Sequence, residues 1–241
     1  NIIVIITRHI SKDGQVAGPK SLEHIVDAVI NLEHDSSNQY RILRGSKNRF
    51  GSVNEIGIFE MTAGGFVEIK NPSMAFASES EKNITGSVLG CVLEGSRPFI
   101  VEVQALVAKT VFGYPQRKAS GYDLNRLQVL SAVLQKKAGL NLSNQDIVVN
   151  IVGGLKINDT SLDLAVCSAI ILSLSEQNLK NKTLFIGEVG LGGEIRTVSR
   201  LKDRIEEARR LGFKEIYAPK TKNVSKINEV DTISALRSDL L

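Results

Sequence analysis

The segment Lys47-Asn48-Arg49-Phe50-Gly51 carries the most specific chemistry in this chain of 241 residues. On a strand, alternate side chains share a face, so Lys47 and Arg49 stand together about 7 Å apart while Asn48 and Phe50 turn away. Two cations at that spacing form a fork suited to the oxygens of a phosphate chain. An exposed basic strand end is the plainer alternative. A second basic stretch runs from Lys109 to Lys137, with six cations against Asp123 alone. Arg117 and Lys118 fall there on a loop containing Gly and Pro, and Arg126 follows on a helix. These three form a candidate DNA-facing surface, or otherwise a solvated face of the ordinary kind. Aromatic residues make up 5% and Trp is absent, so base stacking is expected to contribute little to it.

Other patterns lead away from chemistry. Gly14 to Ser21, GQVAGPKS, imitates a phosphate-binding loop, but Pro19 stands directly before Lys20 and has no N–H to offer the cradle. Gly190-Leu191-Gly192-Gly193 lacks the dinucleotide fingerprint and reads as a tight turn. His24 and His34 lie ten residues apart and share no helical face, so no metal site is expected. Cys91 and Cys167 have no paired spacing and read as small core residues in a reducing compartment.

These side chains are positioned by alternating strands and helices. After an opening strand and a polar loop from Thr7 to Lys20, Leu22, Ile25, Val26, Val29 and Ile30 follow the spacing of one buried helical face. Tyr40 to Phe50 predicts a strand, and Ile56 to Met61 with Phe66 to Ile69 a hairpin about Ala63-Gly64-Gly65. Such a β-α-β-β-β order suits the trailing half of an α/β domain. Asn71-Pro72-Ser73 is the expected linker. Beyond it, strands are predicted at Gly86 to Leu93, Phe99 to Val107, Asp146 to Val152 and Leu184 to Val189. Helices are predicted at Asp123 to Ala138, Thr160 to Ser173 and Ser199 to Leu211, the last stopped by Gly212. The expected organisation is two α/β or α+β pieces, residues 1–72 and 73–241.

Hydrophobic residues at 42% and charged residues at 23% fit a folded domain and exclude collagen, a disordered tail and a disulfide scaffold. Residues 1–72 hold equal numbers of acidic and basic groups, so the whole net charge of +4 falls in 73–241. That balance is compatible with a polyanionic partner. The longest apolar stretch, Leu162 to Leu174, includes Asp163 and is too short to cross a bilayer; no membrane association is expected, and the cytoplasm is the expected compartment. The opening Asn-Ile-Ile-Val-Ile-Ile has neither an initiating Met nor the basic start of a signal peptide. It reads as a buried central strand continued from an earlier part of a longer chain.

The KNRFG segment, the upstream Lys12-Asp13-Gly14 with Gly18-Pro19 and Leu22-Glu23-His24, and the downstream Asn54-Glu55-Ile56-Gly57-Ile58-Phe59-Glu60-Met61 together resemble the bacterial RadA (Sms) family. Val101-Glu102-Val103-Gln104-Ala105-Leu106-Val107, Asn144-Gln145-Asp146 and the Gly187 to Arg196 segment extend the resemblance along the chain. It implies the end of a RecA-like ATPase core followed by a Lon-protease-like α+β domain that holds a ring together. The implied activity is a DNA-dependent ATPase of recombinational repair, driving branch migration as a homo-hexamer on single-stranded or branched DNA, with the recombinase RecA as partner. Lys47 and Arg49 would then reach in trans to the γ-phosphate of ATP held with Mg2+ by a neighbouring subunit. His9 matches a γ-phosphate-sensing position, or is a plain polar strand end, and Lys12 would face the DNA channel. The family's four-cysteine zinc finger and Walker motifs do not occur in these residues, so ATP, Mg2+ and zinc would all depend on sequence outside them.

Lon proteases pair a Ser nucleophile with a Lys base, and by the same resemblance Ser161 and Lys202 occupy those places. Such a dyad requires the lysine pKa to fall by about 3 units through burial. Lys202 lies at the flank of the Leu201, Ile205 and Ala208 stripe, which permits part burial, while Asp203 favours the charged amine. Thr160 to Asp163 reads instead as a capping box, with Thr160 as N-cap and Ser161 an ordinary first-turn residue. A Lon-type peptidase domain is therefore the alternative function.

Overall fold

The computed structural model describes residues 3–7, 21–34, 40–53, 56–69, 84–95, 97–111, 113–153, 156–179, 182–221 and 224–241. The fold is α/β, built on two main sheets. The first is an antiparallel meander of β1 (Ala28–His34), β2 (Tyr40–Asn48), β3 (Ile56–Thr62) and β4 (Gly65–Glu68). The predicted hairpin about Gly64-Gly65 is present, and Gly65 takes φ +109, which a side chain disfavours.

Two expectations for the opening fail. The predicted helix over Leu22 to Ile30 is only a single turn, α1 (Ser21–Ile25), after which the chain becomes β1. Val29 and Ile30 are β-branched, and Ile30, Leu32 and their neighbours find cross-strand partners on β2, so ladder pairing overrides the helical spacing. The opening aliphatic run is not a buried strand either: Ile3 is 90% and Ile5 85% exposed. A central strand requires hydrogen-bonding neighbours on both edges, and among the described residues this run has none. The expected linker at Asn71-Pro72-Ser73 lies outside the described residues.

The second sheet has the strand order β13-β12-β9-β5-β6-β8-β7. Its strands are β5 (Ser87–Glu94), β6 (Arg97–Lys109), β7 (Arg117–Ser120), β8 (Gln145–Ile151), β9 (Thr183–Phe185), β12 (Glu215–Ala218) and β13 (Asn228–Glu229). A small hairpin, β10 (Glu188–Val189) and β11 (Ile195–Arg196), stands apart. The predicted strand from Leu184 to Val189 is thus divided between two sheets. Arg117 and Lys118, expected on a loop, lie on edge strand β7, which pairs in parallel with β8.

Three helices, α2 (Leu124–Lys137), α3 (Asp163–Ser175) and α5 (Ile233–Leu240), contribute to the core on one side of this sheet. Asp123 caps α2 by accepting from the Arg126 N–H at 2.7 Å. Every residue of α3 from Asp163 to Ser173 is buried, as expected for a helix apolar on all sides. On the sheet's other side α4 (Leu201–Arg210) sets Leu201, Ile205 and Ala208 against Cys91, Ile100, Leu184 and Ile186. Ile58 of the first sheet joins the larger core. No described helix is long and apolar enough to cross a membrane.

Candidate functional site

Lys47 near the end of β2 and Arg49 just past it stand beside α1. Lys47 Nζ donates to the Glu23 and His24 carbonyls at 2.7 and 3.2 Å. Arg49 donates through Nη2 to the same His24 carbonyl at 3.3 Å and through Nη1 to Asp27 Oδ1 at 3.2 Å. Its backbone N–H donates to the Asp27 carbonyl at 2.9 Å. The two cations predicted to share a face therefore converge on one carbonyl oxygen. An ammonium has three donors and a guanidinium five, so both keep hydrogen-bonding capacity for an anion. Phe50 projects outward, its N–H donating to Asn48 Oδ1 at 3.0 Å. His9 and Lys12 lie outside the described residues.

Ser161 and Lys202 are not brought together. Ser161 is completely buried and its hydroxyl donates to the Cys91 carbonyl at 2.8 Å. The same hydroxyl accepts from Arg204 Nη1 at 2.7 Å. Lys202 is 63% exposed and faces Glu206 at 3.6 Å. The Lys202 amine thus faces solvent and Glu206 instead of the Ser161 hydroxyl, and a guanidinium cannot serve as a base in its place. The helix start is also capped differently from expectation: Asp159, not Thr160, is the N-cap and accepts from the Ser161 N–H at 3.0 Å. Thr160 donates its hydroxyl to Glu188 instead.

Arg204 organises this region. Nη2 pairs with Asp159 Oδ2 at 2.7 Å, Nη1 also donates to the Cys91 carbonyl at 2.6 Å, and Nε donates to the Ser199 carbonyl at 3.0 Å. Burial opposes the charge on Asp159, but the Leu93 N–H and the Arg204 guanidinium hold its carboxyl below the usual range. Burial pushes the Cys91 thiol up to about 12, so it is no nucleophile at neutral pH. The role of Arg204 escaped the sequence reading, although a signal existed. It occupies the i+3 place in the apolar series Leu201, Ile205 and Ala208 and so had to face the sheet.

The basic stretch divides by function. Arg126 donates to both oxygens of the fully buried Asp163 and, at 2.8 Å, to the Val189 carbonyl. Tyr122 donates to Asp163 at 2.6 Å, and the Val189 N–H at 3.1 Å. Burial raises the Asp163 carboxyl despite these donors, while its bond to Arg126 raises the guanidinium in turn. Arg117 is likewise committed to carbonyls, those of Gln145 at 2.6 Å and Leu142 at 3.1 Å. Lys118 is exposed on the sheet edge. No group of three or more potential metal ligands occurs among the described residues.

Residues 107–222 match the family model described as subunit ChlI of Mg-chelatase. The chain is 46% identical over 225 residues to the DNA repair protein RadA of Rickettsia bellii, covering 93% of this chain and 50% of that protein. It is 49% identical over 220 residues to DNA repair protein RadA of Streptococcus pyogenes serotype M1, covering 91% and 49%. For the protein of that name from Streptococcus pneumoniae the identity is 49%, with 91% and 52% covered. The chain thus spans about half the length of the curated relatives it matches.

Proposed function

Since the chain corresponds over nine-tenths of its length to one half of a bacterial RadA protein, we propose that it forms part of a DNA-dependent ATPase of recombinational repair. Residues 1–72 complete a RecA-like ATPase core, and residues 73–241 form a Lon-like scaffold and DNA-binding domain. The complete protein is a homo-hexamer that works on single-stranded or branched DNA with RecA and drives branch migration. ATP and Mg2+ are held through residues outside this chain and a neighbouring subunit; zinc belongs to a finger outside it.

The observation that carries the reading is the convergence of Lys47 and Arg49 on the His24 carbonyl. Two cations gathered at one strand end can meet the oxygens of a transferring phosphoryl group and stabilise its developing charge. The Asp27 carboxylate and the carbonyls at the end of α1 orient them before ATP arrives. Of Arg117, Lys118 and Arg126, Lys118 is the one open to DNA phosphates, since the other two are engaged within the fold. His9 and Lys12 retain their proposed places near the γ-phosphate and the DNA channel.

The test is Lys47→Ala in the full-length protein. ATP turnover should fall by about three orders of magnitude while nucleotide binding and thermal stability are kept. Undiminished turnover would remove the trans-finger role.

A further inference from the structure

Between β6 and β7 the chain makes a short loop whose described large side chains point into solvent. Val111 is 83% and Tyr114 81% exposed. The loop is nevertheless firmly built. Asp146 Oδ1 accepts from the Thr110 hydroxyl at 2.6 Å and from the Gln116 N–H at 2.8 Å, so one carboxylate oxygen clamps both ends. The Thr110 N–H donates to the Asn144 carbonyl at 2.9 Å. The Tyr114 carbonyl accepts from Gln116 Nε2 at 3.1 Å. Those N–H and hydroxyl donors hold the Asp146 carboxyl below its ordinary range, so the clamp persists at neutral pH. An exposed aromatic on a preformed loop loses little conformational freedom when it meets a partner.

The adjoining sheet surface is open as well. Lys118 stands beside Val148, which stands beside Leu106, and Leu106 is well exposed. The next row places Gln104 beside Asn150. Lys109 closes β6 at the root of the loop on the opposite face of the sheet, so the two lysines flank the tip from either side. Lys109, Arg117 and Lys118 set three cations around the loop against the one carboxylate of Asp146, so the charge there is net positive.

We propose that Tyr114 is a stacking platform for an unpaired base of single-stranded DNA, with Lys109 and Lys118 receiving the flanking phosphates and Gln104 and Asn150 meeting base edges. This deepens the DNA-binding reading and rests on it. An aromatic tip between cations matches single strands, whose bases present free π faces, whereas a duplex keeps those faces stacked inside.

The experiment is fluorescence anisotropy of the full-length protein with a labelled oligo-dT and with a duplex hairpin of equal length, across a salt series. Tyr114→Ala should weaken oligo-dT binding about tenfold, with Tyr114→Phe close to the wild type and hairpin binding little changed. Lys118→Gln should lower the slope of log K against log salt by about 0.7 on the single strand. Wild-type affinity for oligo-dT in Tyr114→Ala would overturn the stacking role while leaving DNA binding intact. An equal loss on the hairpin would overturn the single-strand assignment. A wild type that binds neither probe would overturn the DNA-binding reading itself.

Discussion

Arg204 donates through Nη1 to the Ser161 hydroxyl at 2.7 Å, and neither residue reaches solvent. The contact joins α4 to the start of α3 across the edge of β5, since the Cys91 carbonyl accepts from both partners. The Ser161 hydroxyl thus meets a guanidinium whose charge is balanced by Asp159, and not the Lys202 amine.

Arg204→Ala should lower the free energy of unfolding by about 3–5 kcal/mol, because it strands the Asp159 carboxylate with its partner removed. Ser161→Ala should cost about 1 kcal/mol, since Arg204 still serves the Cys91 carbonyl. Urea unfolding of the two variants checks the order. A serine-reactive fluorophosphonate should leave the intact mass of the wild-type chain unchanged; an adduct on Ser161 would restore the peptidase alternative.

Asp159 sets a pH dependence. Its folded carboxyl lies below its unfolded value, so its stabilisation is complete above about pH 4 and is lost as pH falls through the folded value. Asp159→Asn should be less stable than the wild type at pH 7, and the gap should narrow below about pH 4. Unfolding curves at pH 7, 4 and 3 provide the measurement, and a constant gap would contradict the assignment.

Two cations of the basic stretch should behave differently. Arg126→Ala leaves Asp163 buried with fewer donors and should cost about 3–5 kcal/mol. Lys118→Ala removes an exposed side chain and should change stability by no more than about 0.5 kcal/mol. Thermal melts of both variants, followed by DNA titration of the one that keeps its fold, separate structure from binding.

Gly90 marks where α3 and its leading turn meet β5 most closely. A Cβ there would stand 2.4 Å from Leu162 Cδ2 and 3.1 Å from Ala165 Cβ. Gly90→Ala should destabilise the protein by about 1–3 kcal/mol through overpacking. A melting temperature equal to the wild type would show that this contact yields freely.

Much of the architecture beyond residue 84 was legible in the amino-acid order. Local apolar patterning located β5, β6 and β8 and the helices α2, α3 and α4, because it reports burial without reference to the partner that covers it. Lys47 and Arg49, expected on one strand face, meet at the His24 carbonyl although Arg49 lies past the end of β2. Local spacing could not reveal which distant group completes a buried site. Ser161 meets Arg204, 43 residues away, instead of Lys202, and Arg126 turns to Asp163 instead of to solvent. Buried charge is costly unless it is paired, and the pairings available are set only when strands and helices close around it. The helical spacing over Leu22 to Ile30 gave way for the related reason that β2 offered a ladder partner. Sequence alone determined most elements beyond residue 84; tertiary closure decided the strands at Ala28–His34 and Arg117–Ser120 and which ionic groups became part of the structure.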